Sequence, residues 1–225
     1  MKDGLNNKKI SAIIPAKGNS ERIKNKNLYE VGGKSLIRLC CEKVLKCQCI
    51  DNVYLDTESD LIKSQVSDLE KHGLKIIHRP KELATNEIGA NEMMVYGLHS
   101  IEECGILLQT FATSPTISHR TIDKCVEKFI DNMEKYDSFF TVSELQEYFW
   151  QDDKPINFKP EKVPNSFELK KILVETHGLY GIKTESLIKN KTRVTPNSLK
   201  IPISKLESFD INEPCDLTIV EKILS

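Results

Sequence analysis

Short β-branched apolar runs alternate with amphipathic helical stretches along most of this chain, and that alternation restricts its fold more than any other feature. The first run, ISAIIP (Ile10 to Pro15), is continuously apolar, so it reads as a parallel strand buried on both faces that stops at Pro15, which cannot donate to a central ladder. After it, Ser35 to Lys46 is amphipathic and Val53 to Leu55 is a short strand. Ser59 reads as the N-cap of a helix to His72, stopped by Gly73. Leu74 to His78 and Ile106 to Gln109 read as strands, with a helix over Glu87 to Cys104 between them; a helix over Thr121 to Asn132 and a strand over Ser138 to Val142 follow. The pattern predicts an α/β fold, a mostly parallel sheet with helices on both faces and right-handed crossovers. At 225 residues, with no internal repeat, the chain suits a single domain over 1–225.

The loop leaving the first strand carries the chemistry. Ile13 to Lys26, IIPAKGNSERIKNK, places Lys17, Arg22, Lys24 and Lys26 around Gly18, Asn19 and Ser20. Ligands of open α/β sheets bind at the carboxyl ends of the strands. A loop with open backbone N–H groups, a glycine for close approach and several cations there suits a polyphosphate, most naturally a nucleotide. The competing reading is an ordinary connection with solvated lysines. The loop is neither G-x-x-x-x-G-K-[ST] nor G-x-G-x-x-G, so its phosphate site is of another kind.

Charge narrows the partners. Lysine and arginine total 32 against 33 acidic residues, a net charge of −1, which excludes nucleic acid or an anionic membrane as the main partner. MKDGLNNKK at the start lacks a leader's apolar stretch, and no apolar run approaches the roughly 20 residues of a spanning helix, so a soluble cytoplasmic protein is expected. Seven cysteines, with no C-x-x-C pair and no histidine at finger spacing, read as reduced, mostly buried thiols. From Glu144 to Val174 the periodicity fails, in a stretch holding Tyr148, Phe149, the single Trp150 and three prolines. A loop longer than about 15 residues is uncommon without a function.

Several segments resemble one family, the acylneuraminate cytidylyltransferases, which includes the CMP-sialate, pseudaminate and legionaminate synthetases. PAKGNSERIKNKNL is similar, without a gap, to that family's (A/P)-A-R-x-x-S-K-G-(I/L)-x-x-K-N-(I/L) loop. HRPKELATNE (His78 to Glu87) resembles R-P-x-x-L-A, and LLQTFATSP (Leu107 to Pro115) resembles L-L-Q-P-T-S-P. HGLYGI (His177 to Ile182) and SFDINEPCDL (Ser208 to Leu217) resemble N-G-A-I-Y-I and S-I-D-I-D-T-E-x-D-L.

The resemblance implies a Rossmann-like nucleotidyltransferase architecture of the GT-A-like kind, with residues 144–175 as an inserted arm that builds a homodimer and binds acceptor. It implies transfer of CMP from CTP to an acidic, nonulosonic-type sugar for surface polysaccharide, with release of pyrophosphate and with Mg²⁺, or Mn²⁺, as cofactor. Lys26 and Asp210 are then the catalytic pair. Pro15, Ala16, Lys17, Gly18, Asn19, Ser20, Arg22, Asn27 and Arg79 would bind nucleotide, and Gln109, Glu175 and His177 the acceptor. Asp210 and Asn212 fall on the metal motif, where Asn212 brings a carbonyl oxygen but no charge; it also reads as the N-cap of the last helix. Lys17 stands where the family has arginine and keeps the charge without the bidentate fork.

The departures gather on the acceptor side. Glu21 replaces Lys or Arg, and Glu175 replaces a frequent Arg. LLQTFATSP is one residue longer than its counterpart, and the arm offers Lys170 and Lys171 where the family has an Arg-Gln pair. Since a sialic-type carboxylate wants cations around it, other acceptors stay open: 3-deoxy-manno-octulosonate, another sugar, or a small phosphonate. A catalytically weak nucleotide-binding homologue is the reading from a different class.

Overall fold

The computed structural model describes residues 9–20, 22–85 and 87–224. The polar segment 1–8 and Glu21 lie outside them. In chain order the regular elements are β1 (Ile10–Pro15), β2 (Glu30–Val31), β3 (Lys34–Ser35), α1 (Leu36–Leu45), β4 (Asn52–Thr57), α2 (Asp60–Ser64), β5 (Leu74–His78), α3 (Ala90–His99) and β6 (Ile106–Thr110). They continue as α4 (His119–Ile130), β7 (Ser138–Leu145), β8 (Trp150–Gln151), β9 (Lys154–Pro155), β10 (Ile172–Lys183), α5 (Thr184–Asn190), β11 (Ser198–Pro202) and α6 (Pro214–Leu224).

Seven strands form one sheet in the order β11-β7-β10-β6-β1-β4-β5. β1 is parallel to both its neighbours, with Ile13 beside Tyr54 on one side and Gln109 on the other. As the sequence predicts, the sheet is mostly parallel; β10 alone runs antiparallel, to β6 and to β7. Alternate residues of β1 face opposite layers. Ala12 and Ile14 join the core beneath α1, α4 and α6, where Ile37, Val44, Phe129 and Val220 are buried. Ile13 points the other way, to Met94 of α3 and Leu187 of α5. Gly97 lets α3 lie directly on β1, because a Cβ there would collide with the Ile13 side chain.

Helix starts follow the expected chemistry. Ser35, Ser59 and Ser118 each accept a backbone N–H from the first turn that follows. The helix expected from Ser59 to His72 is broken, however, into α2 and a 3-10 stretch over Ser67–His72. Buried Val66 adopts φ −134° at the break, and Arg38 takes the Gln65 carbonyl at 2.9 Å, so the helical ladder cannot run on. Gly73, at φ 96°, closes the segment as expected. The helix expected over Glu87 to Cys104 is trimmed to α3.

All seven cysteines are free thiols, five of them buried. Burial pushes Cys47 and Cys125 up to about 12, so neither is ionised near neutrality. No described helix is long and apolar enough to cross a membrane.

Candidate active site

The chain runs from β1 out to β4 and β5, then returns to β6 on the other side of β1. That reversal opens a crevice at the carboxyl ends of β1 and β6, the place where open α/β sheets bind ligands. A cavity of about 270 Å³ fills it. Of the residues singled out in the sequence, Pro15, Lys17, Ser20, Lys26, Asn27, Arg79 and Gln109 line it, together with Phe111 and Thr113 from the end of β6.

The first loop is held to its surroundings at several points. Gly18 packs against the turn after β4, where an added Cβ would stand 2.9 Å from the Ser59 Cβ, and its N–H donates to Glu58 Oε1 at 2.6 Å. Asn27 Nδ2 donates to the Lys17 carbonyl at 3.0 Å, folding the loop back on itself. Ala16 is buried beneath the loop, whereas Asn19 and Arg22 are exposed and line no part of the cavity. The Glu21 replacement falls outside the described residues.

Lys26 joins the loop to the far end of the chain. Its Nζ donates to the Ile211 carbonyl at 2.7 Å, and Ile211 N–H donates in turn to Thr113 O at 2.8 Å. The segment carrying Asp210 is thereby fixed against both the first loop and the end of β6. Burial holds the Lys26 ammonium below its ordinary pKa, opposed by the nearby Asp210 and Asp216 carboxylates. Asp210 Oδ1 lies 3.4 Å from Ser114 Oγ, and its Oδ2 accepts from Asn212 Nδ2 at 2.9 Å.

Asn212 is not the cap of the last helix. α6 begins at Pro214, and Asp216, two residues inside, turns back so that its Oδ2 accepts from the N–H groups of Asn212 and Glu213, at 2.8 Å each. A carboxylate there serves the unpaired amides and the helix dipole together, which leaves the Asn212 amide for Asp210.

Arg79 is not an exposed strand-end residue; it lines the cavity while its guanidinium is paired from behind. Its side chain is 3% exposed and grips fully buried Asp56 through Nε–Oδ1 at 3.0 Å and Nη2–Oδ2 at 2.9 Å, while Nη1 stands 4.0 Å from Glu58 Oε2. This pair ties β5 to the end of β4 directly beneath the cavity.

Glu175 and His177 belong to an irregular stretch of β10. The register with β7 shifts between Glu175 and Tyr180, and His177 takes φ 55°, a left-handed conformation in which Asn and His are enriched among residues other than glycine. The His177 ring is half exposed, with Nδ1 4.0 Å from Asp210 Oδ2. Glu175 and Asp210 line a second cavity of about 240 Å³, with Thr176, Lys205 and Phe209. Gln109 is fully buried, its oxygen accepting from Arg193 Nη1 at 2.7 Å. Arg193 also lies over the Tyr180 ring at 3.6 Å, and the Tyr180 hydroxyl donates to Glu175 Oε1. Burial, aided by Glu175, keeps Tyr180 protonated far above its ordinary pKa. Arg193 does not stand out in the sequence, and Tyr180, though inside the HGLYGI motif, carries no assigned role there.

A family model for cytidylyltransferases matches residues 11–222, nearly the whole chain, including the first loop, β6 and the Asp210 segment. The chain belongs to the cytidylyltransferase family. It is therefore a nucleotidyltransferase, with the acylneuraminate-type resemblance of its motifs matched by similarity to named relatives. It is 24% identical to the 3-deoxy-manno-octulosonate cytidylyltransferase of Thermodesulfovibrio yellowstonii, over 95% of this chain and 97% of that protein. It is 23% identical to the Helicobacter pylori protein named pseudaminic acid cytidylyltransferase and UDP-2,4-diacetamido-2,4,6-trideoxy-beta-L-altropyranose hydrolase. That match takes 89% of this chain but only 40% of the relative's length. In fold the cytidylyltransferase is similar to CMP:2-keto-3-deoxy-manno-octonic acid synthetase complexed with CTP, with a TM-score of 0.70 at 15% identity, covering 96% of this chain and 98% of that one.

Proposed function

We propose that this cytidylyltransferase joins CMP from CTP to a hydroxyl of an acidic, nonulosonic-type sugar and releases pyrophosphate. The observation that carries the reading is the convergence of Lys17, Lys26 and Asn27 on one crevice whose far wall is tied through Ile211 to Asp210. The chemistry asks for an oriented triphosphate, relief of its negative charge and a partner for the attacking hydroxyl. The 270 Å³ crevice takes the nucleotide, and Lys26 offsets charge on the phosphates. The second cavity, with Asp210 on its wall, takes the acceptor.

The donor set suits Mg²⁺ or Mn²⁺ held lightly. Among the described residues no group of three or more His, Cys, Asp or Glu side chains is arranged around a common point, which fits a cation bound by one carboxylate plus phosphate oxygens and water. Asp210 would hold it, with the Asn212 amide beside that carboxylate; such an ion supplies charge neutralisation at the α-phosphate when bound.

The second part of the reading is a homodimer formed through residues 144–175. Tyr148 and Trp150 meet Phe158 edge to face, yet Trp150 remains 58% exposed and Phe167 74%. Val163, Ile156 and Leu173 are exposed in the same segment, and such apolar side chains offer a surface for a partner subunit.

Pyrophosphate release with CTP, measured against N-acetylneuraminate, a pseudaminate and 3-deoxy-manno-octulosonate, tests the reaction. Turnover with at least one of them, with CTP and not ATP, is expected. No turnover with any acidic sugar, in the presence of Mg²⁺, sinks the reading.

A further inference from the structure

We propose that Arg193 is the receptor for the acceptor's carboxylate, an inference that rests on the reading of this protein as a cytidylyltransferase with an acidic acceptor. The observation behind it is a mostly buried guanidinium with one hydrogen bond to the protein, whose remaining N–H groups are not sealed from solvent and stay open to a ligand. Arg193 is mostly buried, its side chain 13% exposed, yet among the described residues the only hydrogen bond its guanidinium makes is the one from Nη1 to Gln109 Oε1. The nearest carboxylate oxygen, Glu175 Oε1, stands 4.0 Å from Nη2, beyond hydrogen-bond reach, and already accepts from the Tyr180 hydroxyl. A guanidinium held for structure alone is ordinarily met by a carboxylate at bonding distance, as Asp56 meets Arg79 in this same molecule. Here the planar fork is left with donors to spare.

Its position suits a ligand. Gln109 and Phe111, both in contact with Arg193, line the nucleotide crevice, and Glu175 lines the second cavity beside Asp210. Arg193 itself lines neither cavity, but it lies directly behind Gln109 and Phe111 of the one and 4.0 Å from Glu175 of the other. It is also rigidly presented. Tyr180 lies 3.6 Å from its centre on one ring face, Phe111 5.6 Å away, and the backbone N–H of Arg193 donates to Asn91 Oδ1 of α3 at 3.1 Å. A planar, pre-oriented cation with unspent donors is matched to a carboxylate rather than to a neutral sugar hydroxyl. Glu175 fits the same scheme: engaged by Tyr180 and near the guanidinium, it sets how much positive charge is left for the ligand.

Isothermal titration on the full chain, saturated with α,β-methylene-CTP so that turnover is stopped, provides the test. The probes are N-acetylneuraminate and 3-deoxy-manno-octulosonate, each against its methyl ester. The unaltered protein is expected to bind at least one acid about 10- to 100-fold more tightly than its ester, the range for losing a hydrogen-bonded charge partner. Arg193→Gln should abolish that preference while leaving affinity for the nucleotide analogue unchanged, and Arg193→Lys should keep part of it. Equal weakening of acid and ester by Arg193→Gln shows a structural role and overturns the proposal, as does an unaltered protein with no preference for the acid. Should Arg193→Gln not fold, the Arg193→Lys acid-to-ester ratio decides, an unchanged ratio overturning it. Acid binding that depends on Arg193 without any pyrophosphate release would uphold this inference and defeat the reaction instead.

Discussion

Replacing Arg79 by methionine separates scaffold from ligand contact. The side chains of Arg79 and Asp56 are 3% and 0% exposed, and their two parallel bonds at 2.9–3.0 Å are supplemented by Nη2 donating to the Asp56 carbonyl at 2.9 Å. Methionine fills much of the arginine's volume, so little of the loss would come from a cavity. What it leaves is a carboxylate in the interior without its counter-ion, which costs about 3–5 kcal/mol. For a chain of this length each kcal/mol lowers Tm by about 2–4 °C, so a fall of about 6–20 °C is expected by circular dichroism or calorimetry. The unpaired carboxyl gains from binding a proton in the folded state, its pKa rising above the unfolded value. The deficit should therefore be largest at pH 8 and shrink toward pH 5. Asp56→Asn combined with Arg79→Met should recover part of the loss, because no buried charge then remains. A single mutant within about 1 kcal/mol of the unaltered protein, with CTP-induced stabilisation gone, would refute the scaffold argument and return Arg79 to the nucleotide.

Lys26→Ala should reduce turnover by about 10²-fold or more, measured as pyrophosphate release, with circular dichroism checking that the fold survives loss of the bond to Ile211. Unchanged activity and CTP affinity would leave Lys26 only the role of tying the loop to Ile211. Asp210→Asn should abolish metal-dependent turnover, whereas Asn212→Asp should lower the Mg²⁺ concentration for half-maximal rate; the helix start is untouched, since Asp216 and not Asn212 serves it. An unchanged Mg²⁺ dependence in Asn212→Asp would place the cation on Asp210, phosphate and water alone. Trp150→Glu with Phe167→Glu should shift the protein from dimer to monomer in sedimentation, and a dimer that survives both changes would mean the arm is not its contact.

The local part of this protein could be read from its residues one segment at a time. The strands β1, β4, β5 and β6, the serine cap at Ser59, the glycine stop at Gly73 and the cationic loop after Pro15 each express a preference carried by a few neighbouring side chains. The same holds for the family motifs, which brought Lys26, Arg79, Gln109 and Asp210 into consideration before any coordinates. What those residues do with one another is not local. The motif marks Arg79 as a cation for a ligand, but its pairing with Asp56, 23 residues away in sequence, appears only when β5 is laid beside β4. Asn212 has the composition of a cap, but a helix start can be served from either side, and Asp216 won because its carboxylate reaches two amides at once.

Arg193 shows the limit most clearly. Nothing in the run KTRVTP marks it, since an arginine in a polar stretch is ordinarily a solvated surface residue. Its meaning comes from the antiparallel placement of β10 between β6 and β7, which sets Tyr180 opposite Gln109 in the ladder and brings Glu175 to the same wall. The guanidinium then reaches Gln109 across 84 residues of chain. Periodicity reports which face a residue shows to the core. The partners of a buried charge are chosen by the order of strands in the sheet, and only the tertiary structure decides that.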